Sequence, residues 1–195
     1  MNITWEINAV YIVAMILTAI SYFVACSAYA MRTRRRILIV NSISVLILGS
    51  SFPLLSAWSG FYMMGLVFVR NVAFLGYDFW AKGKKRSDKF DLVVLLAVMV
   101  GVVSISIFTW EGISTIFAAL GTTIFSVALY QKNVKVFRWL SVPGGVCWLV
   151  YMTLVGSFIG VVFEGIFFGV VNTSIIFHSK IENIEKRHLN DKVLR

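Results

Sequence analysis

Charge is scarce in this sequence of 195 residues: only 14% are Asp, Glu, Lys or Arg, against about a quarter in an ordinary soluble domain. Such a composition belongs in lipid rather than in water. Cysteine, histidine and proline each occur only twice. Cys26 and Cys147 lie inside apolar stretches, which argues against a disulfide framework. His178 and His188 are isolated, and there is no HExxH, no His and Cys set at metal-ligand spacing, no GxSxG and no Walker loop. We therefore expect no metal, no cofactor and no enzymatic activity. The net charge of +9 would suit nucleic acid only if the Lys and Arg gathered on one water-facing surface. They fall between apolar runs instead, so no nucleic-acid partner is expected.

What the chain has in abundance is hydrophobic side chains, 59% of the total. A spanning helix needs about 20 mostly apolar residues. The runs predict seven such helices near residues 8–31, 37–56, 60–81, 91–109, 113–131, 137–155 and 157–179. Cytoplasmic connections should hold the excess of Lys and Arg. Every Lys and Arg except Arg70 falls in RTRRR at 32–36, KGKKRSDK at 82–89, KNVKVFR at 132–138 or the tail from Lys180, all on one side of such a bundle. The alternation requires seven crossings with the N-terminus outside and the C-terminus inside. No basic residue precedes the first run, so it reads as a retained helix and not as a cleaved leader. Trp5, Trp58, Trp80, Trp110 and Trp139 sit at predicted helix ends, where indole rings meet the bilayer interface. Trp148 alone lies in mid-helix.

Seven helices divide as three plus one plus three. The fourth run, DLVVLLAVMVGVVSISIFTW, reads as a connector without a buried charge. It lets helices 5–7 enter the membrane in the same sense as helices 1–3, giving parallel repeats. The expected units are residues 1–90 (first triplet), 91–112 (connector), 113–180 (second triplet) and 181–195 (cytoplasmic tail). Sliding the chain by 101 residues lays Asn71 on Asn172.

A charged side chain at mid-membrane costs roughly 2.5–3.5 kcal/mol on insertion scales, and such residues usually face a cavity or a partner. Arg70 lies close to the midplane in helix 3, and Glu164 lies somewhat nearer the outer face in helix 7. If both line one cavity, they pair when it is empty and separate around a solute; the plain alternative is a structural ion pair. Asn41, Asn71 and Asn172 are further candidates for a solute site, or else polar links between helices. Trp148 offers a ring for a pocket floor, or core packing. Pro53 and Pro143 interrupt helices 2 and 6 and are candidate hinges, or static bends. Ser114, Ala118, Thr122 and Ser126, with Gly156, Gly160, Gly165 and Gly169, are spaced for close helix packing.

The stretch FRWLSVPGGVCWLVYMTLVGSFIGVVFEGIFFGVVNTSIIF at 137–177, with AALGTTIFSVALYQ and GLVFVRNVAF, resembles the YgjV-type family of bacterial inner membrane proteins. That family's helix arrangement is similar to that of the SWEET, SemiSWEET and PQ-loop (MtN3-like) transporters and the PnuC-type nicotinamide riboside transporters. The resemblance implies the bacterial inner membrane, a small-solute carrier, and Asn71, Asn172 and Trp148 as the residues facing the solute. Helix 1 lacks proline and no Pro-Gln pair occurs, unlike the SWEET-like proteins. Arg70 and Glu164 point away from a neutral sugar and toward a zwitterion, an anion or a nucleoside-like solute.

Three functions follow in order. The first is a carrier alternating access around a site between helices 2, 3, 6 and 7. The second is a receptor or assembly partner that binds without transport, and the third is an intramembrane enzyme resting on Glu164 alone. The expected partners are a small-molecule solute and the lipid bilayer; a homo-oligomer is compatible with this reading.

Overall fold

The computed structural model describes residues 9–31, 33–80, 88–131 and 134–193. Trp5, Glu6 and all the basic residues of 82–87 lie outside the described residues, as do the side chains of the tail. Seven helices account for nearly everything described: α1 (Ala9–Ala30), α2 (Arg34–Ser51), α3 (Trp58–Trp80), α4 (Asp88–Phe108), α5 (Ile113–Tyr130), α6 (Val134–Val155) and α7 (Phe158–Val193). A bilayer interior offers no water to unpaired backbone groups, and helices satisfy them internally. Among the described residues, five helices are long and apolar enough to cross a membrane: those of α1 to α5. The apolar part of α7, Phe158–Thr173, is shorter, and α7 then runs on through the tail. Large apolar side chains such as Phe23, Val100, Ile107 and Phe108 are exposed. Water would penalise such a surface, whereas lipid tails accommodate it. Trp58 and Trp80 are exposed at the two ends of α3 and Trp110 just before α5, as interfacial indoles should be, whereas Trp139 is exposed in the second turn of α6.

α2 ends at Ser51, and Pro53 opens a short 3-10 turn, Pro53–Leu55. Pro53 thus terminates a helix, where its missing N–H does no harm, while Pro143 sits inside a continuous α6. The α2–α3 and α6–α7 connections are closed by the same bonds. Ala57 N–H donates to the Phe52 carbonyl (3.0 Å) and Ser157 N–H to the Met152 carbonyl (2.9 Å). Ser56 N–H reaches Pro53 (3.1 Å) and Gly156 N–H reaches Thr153 (3.2 Å). Ser56 (φ 56°) and Gly156 (φ 81°) are both left-handed, which completes the six-to-one capping geometry in each case. The recurrence is at one hundred residues, and helix limits follow it: α2 and α6 begin at Arg34 and Val134, α3 and α7 at Trp58 and Phe158.

Contacts between helices close a ring. α1 packs on α2, α2 on α3, α3 on α5, α5 on α6, α6 on α7 and α7 on α1. α4 lies outside, against α3 and α5. In this order α3 stands opposite α7, α1 opposite α5, and α2 opposite α6. Neighbouring axes roughly 8–10 Å apart put opposite axes roughly 16–20 Å apart in a regular ring, so a lumen remains unless side chains fill it. Contrary to the sequence-based expectation for α4, its first turns bury a charged side chain, Asp91. Gly165 and Gly169 have nothing within 4 Å of where a Cβ would stand, so they do not mediate the close packing expected of them. Gly60, Gly121 and Gly160 do, and so does the buried α5 series Ser114, Ala118, Thr122 and Ser126.

Candidate functional site

The lumen persists in the half of the ring next to the basic connections, as a cavity of about 100 Å³ lined by all six ring helices. A buried water needs roughly 10–15 Å³ measured this way, so the space holds several waters or a small solute. Its wall repeats at the same interval as the turns. Tyr22 and Thr122, Ala25 and Phe125, Ile37 and Phe137, Leu48 and Trp148, Met64 and Glu164, and Val67 and Phe167 all line it. The cavity therefore runs from the level of Glu164 down to the first turns of α2 and α6.

Arg70 is 2% exposed, and three of its N–H groups have identified acceptors. Nε and Nη2 donate to Asn71 Oδ1 at 3.2 and 2.9 Å, and Nη1 donates to Ser126 Oγ at 2.7 Å. Ser126 in turn donates to the Thr122 carbonyl one helical turn earlier (2.7 Å). The grip on Asn71 fixes its amide with the oxygen toward the guanidinium. Asn71 Nδ2 is then buried without a hydrogen-bond partner among the described residues, as is Thr122 Oγ1 on the cavity wall. Buried polar groups are nearly always paired, so each of these two has capacity for one further hydrogen bond.

Glu164, 3% exposed, accepts a hydrogen bond at Oε2 from the Tyr22 hydroxyl. Gly145 makes room for it, since a Cβ there would stand 3.1 Å from Oε1. Tyr22 is also stacked on Phe163 (6.1 Å) and meets Phe167 edge-on (6.4 Å), so its ring is held from two sides. The expected Arg70–Glu164 pair is not what anchors these groups. They belong to opposite helices of the ring, and Arg70 is twelve residues past Trp58 whereas Glu164 is six past Phe158. That leaves about 9 Å between their levels at 1.5 Å per residue. Each instead bonds to the neighbouring helix: Arg70 across the α3–α5 seam, Glu164 across the α7–α1 seam.

Toward the short turns the ring is stopped by aromatic side chains. Phe52 stacks on Trp148 (6.2 Å), and Tyr151 meets Trp148 and Phe52 edge-on at 5.2 and 5.7 Å. Gly121 lets Trp148 lie against α5; a Cβ there would be 2.7 Å from Trp148 Cδ1. The Tyr151 hydroxyl is 3.3 Å from Ser59 Oγ, and Ser59 donates to both carboxylate oxygens of Glu111, from Oγ (2.5 Å) and from its backbone N–H (3.2 Å). The turn before α5 is thereby tied to the start of α3.

Of the residues singled out from the sequence, Arg70, Glu164, Trp148 and Asn41 line the cavity, and Asn71 is buried beside Arg70. Asn172 is a correction. It is exposed on the outer surface of α7, its Nδ2 donating to the Phe168 carbonyl of its own helix (2.9 Å). The interval of 101 residues that paired it with Asn71 is one too long, and one residue turns a helix by about 100°. The position matching Asn71 is the buried Val171. Sequence reasoning missed Tyr22, Phe52 and Tyr151, and read Thr122 and Ser126 as packing residues only. A signal for Tyr22 was a hydroxyl in mid-helix, far from any interface.

Neither a curated protein nor a solved structure matches the chain. The family comparison does give a match, to the Imp-YgjV model, described as bacterial inner membrane protein. It extends over residues 12–181, which takes in all six ring helices and α4, and the chain thus belongs to this family of the bacterial inner membrane.

Proposed function

We propose that this protein is a carrier for a small polar or charged solute, alternating access to the ring cavity between two three-helix units, α1–α3 and α5–α7, joined by α4. The short turns face outside and the basic connections face the cytoplasm, in keeping with the distribution of Lys and Arg. The observation that carries this reading is the cavity itself. It is walled by matched positions one hundred residues apart, contains a buried arginine and a buried glutamate, and ends at one aromatic barrier.

Alternating access needs two bodies that move against each other and a site between them. The two seams supply the contact: Arg70 bonds from the first unit to Ser126 of the second, and Tyr22 of the first bonds to Glu164 of the second. Rocking at these seams opens Phe52 from Trp148 while closing the cytoplasmic end. Nothing in this scheme requires bond-making chemistry, and we read the chain as a carrier and not an enzyme.

The test is uptake into proteoliposomes across a panel of radiolabelled amino acids, organic acids and nucleosides. Saturable flux is expected, and Arg70→Ala should lower it by about tenfold or more, the equivalent of one lost charge-assisted hydrogen bond. A folded wild type that moves none of the panel, or flux indifferent to Arg70→Ala, contradicts the reading.

A further inference from the structure

α4 stands outside the ring, yet the turn that follows it reaches back to the closed end. Glu111, exposed in that turn, accepts two hydrogen bonds from the second residue of α3: Ser59 donates from its backbone N–H (3.2 Å) and from Oγ (2.5 Å). The first N–H groups of a helix have no partner within it, and a side chain just before the helix usually accepts from one of them. α7 follows that rule, with Ser157 Oγ accepting from Gly160 N–H (3.3 Å). The residue matching Ser157 ahead of α3 is Ala57, whose side chain has no acceptor to offer. α3 therefore takes its cap from another segment, and a carboxylate there is favoured by the positive end of the helix dipole. The turn is built to hold it: Glu111 N–H donates to Thr115 Oγ1 (2.9 Å), and Ser114 Oγ donates to the Glu111 carbonyl (3.2 Å).

The bonds continue into the barrier. Ser59 is fully buried, and its hydroxyl has a single proton, which goes to Glu111. The Tyr151 hydroxyl, 3.3 Å away, is then the donor to Ser59 Oγ, and the same Tyr151 ring meets Phe52 and Trp148 edge-on. Gly60 permits the approach, because a Cβ there would run into the Tyr151 hydroxyl and stand 3.0 Å from the Phe52 ring. Glu111, Ser59 and Tyr151 thus join the α4–α5 turn, α3 of the first unit and α6 of the second, while α4 itself packs on both α3 and α5. We propose that the α4–α5 turn is a strap on the closed end: Glu111, acting through Ser59, positions Tyr151 against the barrier, and its release from Ser59 is a step in opening that end. The proposal rests on reading the two three-helix units as bodies that move against each other. α6 carries both Trp148 and Tyr151, so drawing Trp148 away from Phe52 also draws Tyr151 away from Ser59. Arg70 and Glu164 make their seam bonds inside the bundle, whereas Glu111 is at the surface, where water replaces Ser59 at small cost when the bond parts. The residue of α7 matching Ser59 is Ile159, which has no hydroxyl to relay such a tie.

A cysteine just behind the barrier reads this directly: Thr122→Cys in the full chain with Cys26→Ser and Cys147→Ser, labelled by a membrane-impermeant maleimide in right-side-out and inside-out vesicles. Thr122 lines the cavity one residue past Gly121, against which Trp148 lies. With the strap intact, labelling from the side of the short turns should be slow. Glu111→Ala should raise that rate about tenfold, the equivalent of one charge-assisted hydrogen bond, and leave the rate from the basic side unchanged or lower. Glu111→Gln keeps an acceptor oxygen and should raise it less. Ser59→Ala should match Glu111→Ala, and the double variant should exceed neither, as expected of two members of one tie. Tyr151→Phe removes only the hydroxyl and should move the rate in the same direction, which keeps the test decisive if Ser59→Ala does not fold. A cap with a purely structural role predicts a lower Tm and no change in which side reacts. That result, an equal rise from both sides, or fast labelling from the turn side before any strap residue is changed overturns the proposal. Uptake of the solute panel separates it from the carrier reading. Strap-dependent labelling without flux removes the carrier and keeps the strap, whereas flux with labelling indifferent to Glu111→Ala does the reverse.

Discussion

The same six helices run through both halves of the ring, yet the half beside the short turns is filled and the half beside the basic connections is hollow. Side-chain size at matched positions makes the difference. In the filled half the matched residues Phe52 and Met152 are both large and fully buried. In the hollow half Ala25 faces the lumen where its counterpart is Phe125, and Ala28 and Ser44 leave further room. One backbone repeat thus builds a barrier at one end and a chamber at the other, and stability and solute handling are expected to reside in different halves.

The largest effect should come from the barrier. Phe52 is fully buried between Trp148 and Tyr151, and Phe52→Ala should destabilise the protein by about 3–5 kcal/mol, the range for removing a buried aromatic ring. Phe137→Ala, on the cavity wall, should cost less than half as much, because its ring is only partly packed. Thermal unfolding in one detergent compares the two, and equal losses would erase the distinction between the halves. Next in size, Gly121→Ala drives a methyl group into Trp148 and should cost about 1–3 kcal/mol by overpacking, while Gly165→Ala, which meets nothing, should be neutral or slightly stabilising. A smaller and opposite effect is expected from filling the chamber. Ala25→Phe copies the counterpart at Phe125 and should raise stability by about 0.5–2 kcal/mol while abolishing uptake. Smallest of all, Asn172→Leu should stay within about 0.5 kcal/mol and leave uptake intact, since its side chain faces outward and bonds only its own helix.

The helices were legible because their cause is local. Long apolar runs and basic clusters set the ends to within a few residues, as α3 and α5 illustrate. The extension of α2 back to Arg34 was hidden by the charges of RTRRR, which read as loop but also suit the interfacial turn of a helix. Arg70, Glu164 and Trp148, which line the cavity, were legible as candidates because each is conspicuous in a run of apolar side chains. Rotational phase was not legible. Two asparagines in similar contexts, Asn71 and Asn172, differ by one residue in register, and that residue decides between the interior and lipid. Tyr22 and Ser126 were hidden for another reason: hydroxyl side chains commonly bond their own helix in a membrane, as Ser42 and Ser106 do here, so nothing in sequence tells which ones reach across a seam.

On the proposed function, the ring holds a chamber reached from the basic face and closed at the turn face. Thiol labelling tests it most directly, in a background with Cys26→Ser and Cys147→Ser, using a membrane-impermeant maleimide on inside-out and right-side-out vesicles. Asn41→Cys should react from the cytoplasmic side only, and Met152→Cys, buried behind the aromatic barrier, should react from neither. An Asn41→Cys protein that folds and stays unlabelled from both sides would mean a dry, sealed bundle and would contradict the account.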